Sequence, residues 1–326
     1  MLKIRSQKRE GNQVLLEIEE EFSRFEETVE KVLVKRGAEV RLPGFRPGKA
    51  PRQMVEKAVS REALEHRAAQ DLISDLYPKI IDETGLEPVA FPDVEVLQQE
   101  KDKPFVFKLS VEVYPLVKLG KYKGLKVDRK SDAVTEEEVL GILGKLQKQF
   151  TPADLDDEFA RKISRYGTLA ELKEEILISL RKDKSAEAEA DLKNKLIAGA
   201  CAEAKVDIPP AMVEREIDLM LDELKASLAQ SNLTIEDYLR GAGKEKQALR
   251  DEMRKAAEIR VKGKVVLRAV GETEKIKITP EDIKSAFPDV KVEEANKKYV
   301  EDYLLRMKAL DFLVEKAEIR MGEART

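Results

Sequence analysis

Apolar and polar residues alternate in three parts of the N-terminal third of the chain. The alternation is strict over residues 104–114 and predicts a strand, whose apolar positions are Phe105, Phe107, Leu109, Val111 and Val113. Residues 1–20 alternate on both sides of a Gly11–Asn12 turn and predict a β-hairpin. Residues 91–97 predict one further strand.

The period of the pattern changes between these strands. Apolar residues recur at helical spacing over residues 22–38 and again over residues 60–84. The buried stripe of the second helix is predicted to be Leu64, Leu72, Ile73, Leu76, Ile80 and Ile81. Strands that flank helices without a βαβ rhythm predict an α+β domain that ends near Pro115.

Beyond residue 134 the pattern is helical throughout. Thr135 and Thr168 each have a glutamate three residues later, which is the capping box that starts a helix. The predicted helices are 168–206, the segment from Pro209 to Leu228, a short helix from Thr234 that ends at Gly241 and Gly243, 244–269, a helix that starts at Thr279, and 293–318. The sequence therefore predicts a multidomain protein, with an α+β N-terminal domain and an all-α C-terminal domain with long helical arms.

The composition supports extended helices rather than one compact globule. The chain has 326 residues, of which 42% are hydrophobic and 38% are charged. That charged fraction exceeds the usual quarter, and the length suggests two or three domains. The net charge is −4, so any binding to nucleic acid has to rely on a local basic patch.

The loop from Leu42 to Pro51 combines three prolines with two glycines, Gly44 and Gly48. Such a stiff, irregular loop is hard to bury, so Phe45 is expected at its tip, between Arg46 and Lys49. Residues 41–67 contain seven cations and three acids, a local net charge of +4. An exposed aromatic residue among cations suits a surface that mixes RNA phosphate with protein. The residues alone leave open a second interpretation, in which Phe45 folds back onto the core.

The segment Gly44-Phe45-Arg46-Pro47-Gly48-Lys49-Ala50-Pro51 resembles the ribosome-binding motif of the trigger factor family. The strand "FVFKLSVEVYP" at 105–115 and "KALDFLVEKAEI" at 308–319 are similar to other parts of that family. The resemblance implies that Phe45, Arg46 and Lys49 contact the ribosome beside the tunnel exit. The expected ribosome-binding residues are Gly44, Phe45, Arg46, Pro47, Gly48 and Lys49. Pro47 stands where the family often has a cation.

The family normally carries an FKBP-like prolyl-isomerase domain of roughly one hundred residues, and this chain has no segment resembling it. An extended linker is predicted from residue 116, followed by a connecting helix that ends near Phe150. Beyond Phe150 the chain continues directly into "LDDEFARKISRYGTLAEL", which resembles the family's segment after that domain. The expected domains are therefore 1–115, 116–150 and 151–326, with the isomerase domain absent at about 150/151. Whether this absence is natural or engineered stays open.

The candidate chemical groups are few. The single cysteine, Cys201, and the single histidine, His66, exclude a disulfide and a cysteine- or histidine-rich metal cluster. Cys201 is expected to be a small buried residue, and His66 a solvated side chain. No phosphate-binding loop occurs, so we expect no cofactor and no ATP dependence. No apolar run reaches the length of a membrane span, and the first residues lack a signal-peptide core. We therefore expect a cytoplasmic protein that is not an enzyme.

The resemblance implies a chaperone whose partners are the ribosome, through protein and rRNA at the tunnel exit, and unfolded or nascent polypeptides. It also implies a family association with cell division and protein export. No membrane and no specific DNA partner are expected, and homodimerisation stays open. Flexible methionines such as Met220, Met253 and Met307 could adapt to varied clients, although each one alone fits a plain core position better. The alternatives are a ribosome-independent holdase or assembly chaperone, a prolyl isomerase with a divergent pocket, and an interaction scaffold.

Overall fold

A computed structural model describes residues 2–39, 54–55, 59–149, 154–288 and 293–321 of the chain. Its contacts divide the chain into two compact units. The first unit comprises Met1–Leu116 and Val206–Val261, and the second comprises Val117–Lys205 and Lys262–Thr326.

The first unit contains a four-stranded antiparallel sheet in the order β1-β2-β4-β3. Its strands are β1 (Lys3–Glu10), β2 (Gln13–Glu20), β3 (Asp93–Gln98) and β4 (Phe105–Glu112). The predicted turn joins β1 to β2, and Gly11 adopts the left-handed backbone that this turn requires, with φ of 61°. Leu16 lies opposite Leu109, and Ile18 lies opposite Phe107. The predicted apolar side of this segment is confirmed, because four positions in β4 and Val113 directly after it are all buried.

Two helices pack on one face of this sheet, α1 (Phe22–Glu39) and α2 (Arg61–Thr84). The ring of Phe25 in α1 stacks on Phe105 of β4, with 4.7 Å between their centroids. The predicted stripe of α2 is buried at every position except Ile81, which is half-buried. Gly85 ends α2 in the left-handed conformation with φ of 62°, and its N–H donates to the carbonyl of Ile81.

The first unit also contains three further helical segments. These are α6 (Pro210–Gln230), α7 (Ile235–Ala242) and the N-terminal part of α8 (Lys246–Thr273). Pro210 opens α6 at the position where a missing N–H costs nothing. Their core is formed by Val213, Ile217, Leu221, Leu249 and Ala257. Salt bridges from Glu214 to Arg250 and Arg254 join α6 to α8 at 2.6 and 2.5 Å.

The second unit is built around one helix of 35 residues. Its elements are β5 (Lys126–Arg129), α3 (Glu136–Gln149), α4 (Asp157–Ile163), α5 (Leu169–Glu203), the rest of α8, α9 (Pro280–Ala286), α10 (Glu294–Glu315) and β6 (Glu318–Met321). The first half of α5 packs on α3 and α4 through Leu172, Leu143 and Phe159. Its second half packs on α8 and α10 through Ala200, Val266 and Leu313.

Two expectations for the second unit were wrong in detail. The last helix ends at Glu315 rather than at 318, and Glu318–Met321 forms a strand. That strand pairs in parallel with Lys126–Arg129, which had been expected to be part of an extended linker. A four-residue strand is too short to show a periodicity. The sequence pattern therefore cannot reveal that two such strands pair when they lie so far apart in the chain.

The α+β character of the N-terminal region and the helical character of the remainder are confirmed. The division at 115, 150 and 151 remains a prediction. Within the described residues no helix combines the length and the apolarity that crossing a bilayer requires.

Candidate functional site

The six predicted ribosome-binding residues, Gly44 to Lys49, fall within residues 40–53 and therefore lie outside the described residues. The candidate site is defined instead by the elements on either side of that segment. Helix α1 precedes it, and Val55 and then helix α2 follow it. These elements determine where on the N-terminal domain the two ends of the segment are attached.

The two flanks of the segment meet at Gly37 and Val55. Val55 is only 4% exposed and belongs to the core between the helices and the sheet. A methyl group placed on Gly37 would lie 3.5 Å from both methyl carbons of Val55, which is ordinary van der Waals contact. Since Gly37 lies near the end of α1, the residues that flank the predicted docking loop are packed together at one place on the domain.

The path from Val55 into α2 is also held by hydrogen bonds. The N–H of Val59 donates to the carbonyl of Val55 at 2.8 Å, and the Val59 side chain packs against the same core. Ser60 caps α2, since its hydroxyl accepts the N–H of Ala63 at 3.2 Å. Val55, Val59 and Ser60, the described residues after the loop, are therefore all held by the core or by hydrogen bonds.

The cations at the start of α2 are paired with acids of the same helix. Arg61 Nε lies 2.7 Å from Glu65 Oε1, and Arg67 Nε lies 2.9 Å from Asp71 Oδ1. The predicted net charge of +4 over 41–67 includes both arginines. The five remaining cations of that stretch lie outside the described residues: Arg41, Arg46, Lys49, Arg52 and Lys57. The basic excess of the predicted patch therefore rests on those five.

Helix α1 adds cations that the sequence analysis had not counted toward the patch. Lys31, Lys35 and Arg36 are exposed toward the end of α1. Arg36 lines a shallow cleft together with His66 and Arg67 of α2. The sequence shows these three cations, since basic residues lie in the last turns of α1 just before the loop. His66 is exposed, as expected.

The remaining singled-out residues do not gather into a catalytic arrangement. Cys201 is half-buried, and this burial raises the pKa of its thiol, which disfavours the reactive thiolate. Among the described residues no cluster of histidine, cysteine, aspartate and glutamate could hold a metal ion. Met220 and Met253 pack against the core of α6 and α8, whereas Met307 is exposed.

Two family models match the chain, and together they cover most of it. "Bacterial trigger factor protein (TF)" matches residues 2–146, and "Bacterial trigger factor protein (TF) C-terminus" matches residues 168–320. The first match includes the predicted docking loop and both of its flanks. Only residues 147–167 separate the two matches, a stretch too short for an independently folded domain.

Curated relatives give the same result. "Trigger factor 1" of Desulfitobacterium hafniense is 30% identical over 378 residues, covering 86% of this chain and 89% of the relative. "Trigger factor" of Geobacillus thermodenitrificans is 28% identical, covering 98% of this chain and 100% of the relative. That alignment runs over 426 residues, which is 100 more than the 326 of this chain. The relative therefore contains about one hundred residues that this chain lacks.

A solved structure has a similar fold. It is described as "Promiscuous Substrate Recognition in Folding and Assembly Activities of the Trigger Factor Chaperone". It matches with a TM-score of 0.54 at 15% identity and covers 96% of this chain and 99% of the other.

Proposed function

Because the chain belongs to the trigger factor family, we propose that it is an ATP-independent chaperone that docks at the ribosomal tunnel exit and shields hydrophobic segments of nascent chains. Membership of the family supports a ribosome-associated chaperone role in general. The docking residues, the shielding of nascent chains and a cytoplasmic location are the finer parts of the proposal.

The observation that carries the proposal is the motif at Gly44–Lys49, inside the range that the N-terminal family model matches. In the proposal Phe45 inserts into an apolar recess of a ribosomal protein, while Arg46 and Lys49 bind rRNA phosphate. The contact between Gly37 and Val55 supports it, because it attaches the loop to a packed core. A docking loop that is held at both ends loses less entropy on binding.

The chaperone activity is proposed to be binding without chemistry. Weak apolar surfaces would hold exposed hydrophobic segments, and the surrounding charges would keep the complex soluble. We also propose the division into a ribosome-binding domain at 1–115, a linker with a connecting helix at 116–150 and a chaperone domain at 151–326. No cofactor enters this function.

We propose further that the chain has no prolyl-isomerase activity. The two family matches leave only residues 147–167 between them, and the relative from Geobacillus thermodenitrificans is about one hundred residues longer in its alignment. A protease-coupled assay on a proline-containing tetrapeptide tests this. A rate at background is expected, and a rate clearly above background would disprove it.

Ribosome cosedimentation tests the docking proposal. The wild-type chain is compared with a Phe45→Ala, Arg46→Ala double variant at low and raised salt. A matched control removes an exposed aromatic residue and an exposed arginine elsewhere, as Tyr299→Ala with Arg181→Ala. We expect salt-sensitive binding by the wild type and the control, and its loss in the loop variant.

Three other outcomes would contradict the docking proposal. Equal binding by all three proteins would place the docking site elsewhere. No binding by any of them, together with suppression of aggregation of a denatured client, would indicate a ribosome-independent holdase or assembly chaperone. A failure in both assays would leave only an interaction scaffold.

A further inference from the structure

The face of the N-terminal sheet that carries the core is left uncovered at strand β3. Val94 and Val96 lie opposite Leu109 and Phe107 in the β3–β4 ladder. Residues opposite each other in a ladder point to the same face of the sheet. Leu109 and Phe107 are fully buried, whereas Val94 is 46% and Val96 is 38% exposed. The helices therefore cover β4 and leave the valines of β3 partly in solvent.

A fully exposed aromatic residue stands directly before this strand. The side chain of Phe91 is 99% exposed and is followed by Pro92 and then β3. A large apolar side chain with no protein contact costs solubility and stabilises nothing in the folded chain. Val94 and Val96 are called the β3 strip below, and Phe91 adds an exposed apolar side chain directly before the strand.

Strand β3 also has an unpaired backbone edge. In the strand order β1-β2-β4-β3 it lies at the margin of the sheet, with β4 as its neighbour on one side. Across the part of the chain that the structure describes, no other strand pairs with it. Alternate residues of such an edge direct N–H and C=O groups outward, where an extended peptide can bind them.

The charges of β3 specify what would fit beside it. Asp93 and Glu95 alternate with the two valines and are exposed. Neither carboxylate forms an ion pair with any described residue. A strand added at this edge would place every second side chain beside an acid and the others beside a valine. The complementary segment is therefore one in which apolar and basic residues alternate.

We propose that β3 binds an extended segment of a client polypeptide as a fifth strand of the sheet, with apolar side chains on the β3 strip and basic ones beside Asp93 and Glu95. This inference rests on the proposed chaperone function and adds to it a defined binding surface and a preferred client sequence.

A second copy of the chain fits this edge less well. Two β3 strands side by side would bring the acids of both copies together, which is unfavourable. The other edge strand, β1, is basic, but three of its four cations already have partners, among them Arg9, which donates to the carbonyl of Gly11. Arg5 binds Glu17 and Glu19, and Lys8 binds Glu10. β1 also carries a register shift between Ile4 and Ser6.

The site is short, as a transient client site should be. Pro92 cannot donate a backbone hydrogen bond, and a register shift interrupts β3 between Val96 and Gln98. The regular edge therefore covers only residues 93–96. A few backbone hydrogen bonds and a few side-chain contacts give weak binding, which allows a client to be released.

Fluorescence anisotropy on the full chain tests the proposal, with a labelled peptide of alternating valine and lysine as the probe. Val94→Ser with Val96→Ser should weaken binding by roughly three- to tenfold, since two cross-strand pairs are lost. The matched control is Leu116→Ser with Ile259→Ser, which removes two apolar side chains that are 70% and 65% exposed and lie on no strand. The control should bind like the wild type.

Three altered probes separate strand addition from non-specific hydrophobic binding. A peptide N-methylated at every second residue, on the set that faces β3, should lose binding, while methylation of the other set should preserve it. A peptide of alternating valine and glutamate should bind more weakly than the lysine probe. Equal binding of both methylated peptides, or equal binding by the β3 variant and the wild type, would overturn the proposal.

The failure of this inference differs from a failure of the proposed function. Should the chain suppress client aggregation while the serine variant binds the probe unchanged, only the β3 site is wrong. Should the chain neither suppress aggregation nor bind any of the probes, the chaperone function itself is wrong, and the β3 site with it.

Discussion

Val55, a buried residue after the predicted docking loop, lies so close to Gly37, near the end of the helix before the loop, that a methyl group added at Gly37 would be 3.5 Å from its methyl carbons. The two residues are 18 positions apart in the sequence. Their contact joins the flanks of the loop to the core that the helices share with the sheet. Docking should therefore depend on residues that do not touch the ribosome.

Val55→Ala should weaken ribosome binding although it changes no loop residue. The substitution leaves a cavity beside Gly37, at the place called the anchor below. It should lower the free energy of unfolding by about 1–3 kcal/mol. Cosedimentation is measured at a temperature where circular dichroism shows the variant folded. The control is Gly37→Ala, whose methyl group fits beside Val55 and should stabilise α1 by about 0.5–1 kcal/mol. Full ribosome binding by a folded Val55→Ala variant would show that the anchor does not position the loop.

The salt dependence of ribosome binding should distinguish the loop cations from the helix cations. Arg46→Ala and Lys49→Ala should each reduce the slope of log K against log salt by about 1, because each removes one phosphate contact. Arg61→Ala and Arg67→Ala should change the slope little, because both arginines are paired with Glu65 and Asp71 on their own helix. Equal changes in all four variants would mean that the helix cations bind phosphate as well.

Gly120→Ala should destabilise the second unit strongly. A methyl group at Gly120 would lie 2.4 Å from the backbone oxygen of Glu203, far inside contact distance. Next to it, the backbones of Lys118 and Lys205 exchange hydrogen bonds of 3.0 and 2.9 Å, which hold the segment in place. We expect a loss of about 2–4 kcal/mol in denaturant unfolding.

Gly141→Ala is the matched control for that substitution. Gly141 lies inside α3, and a methyl group there meets no atom within 4 Å. The change should stabilise the protein by about 0.5–1 kcal/mol, because alanine favours a helix over glycine. Similar effects of the two substitutions would show that Gly120 does not approach Glu203 closely.

A tyrosine–glutamate hydrogen bond should make stability depend on alkaline pH. The Tyr122 hydroxyl donates to Glu274 Oε1 at 2.6 Å, and this bond raises the pKa of Tyr122 from 10.0 to about 12. A raised folded-state pKa means that the contribution is complete below pH 10 and is lost as the pH rises toward 12.

Tyr122→Phe measures that contribution. The variant should be less stable by about 1 kcal/mol at neutral pH, and the difference from the wild type should shrink above pH 10. Urea unfolding of both proteins across that pH range is the measurement, and titration of the lysines cancels in the difference. A difference that stays constant with pH would show that the hydrogen bond contributes nothing.

An aspartate in the second unit should contribute to acid stability. Lys308 Nζ lies 2.6 Å from Asp282 Oδ2, and together with the backbone N–H of Thr279 it lowers the pKa of Asp282 from 3.8 to about 2. A lowered folded-state pKa means that the contribution is present above pH 3.8 and disappears as the pH falls toward 2.

Asp282→Asn should therefore flatten the loss of stability between pH 4 and pH 2 and lower the melting temperature at neutral pH. Thermal unfolding followed at several pH values checks this. Glu281→Gln is the control, since that neighbouring carboxylate is exposed and forms no ion pair within the described residues. Identical acid profiles of the wild type and Asp282→Asn would contradict the assigned ion pair.

Much of the fold follows from local pattern. The alternation from Phe105 to Val113 and the stripe from Leu64 to Ile80 each state which side of an element is apolar, and burial of that side is the dominant gain in folding. The Thr168 capping box was visible in the sequence, and the structure forms it. The motif at Gly44–Lys49 was equally visible, because its residues are contiguous in the sequence, and its role in docking remains a proposal.

Tertiary structure decided what depends on residues far apart in the chain. The parallel pairing of Lys126–Arg129 with Glu318–Met321 and the approach of Gly120 to Glu203 leave no local signal, because each segment has an ordinary composition. The exposure of Val94 and Val96 could not be predicted from the sequence either, because it depends on elements far away in the chain. An alternating strand predicts an apolar face, but only the extent of the covering helices determines how much of that face remains in water.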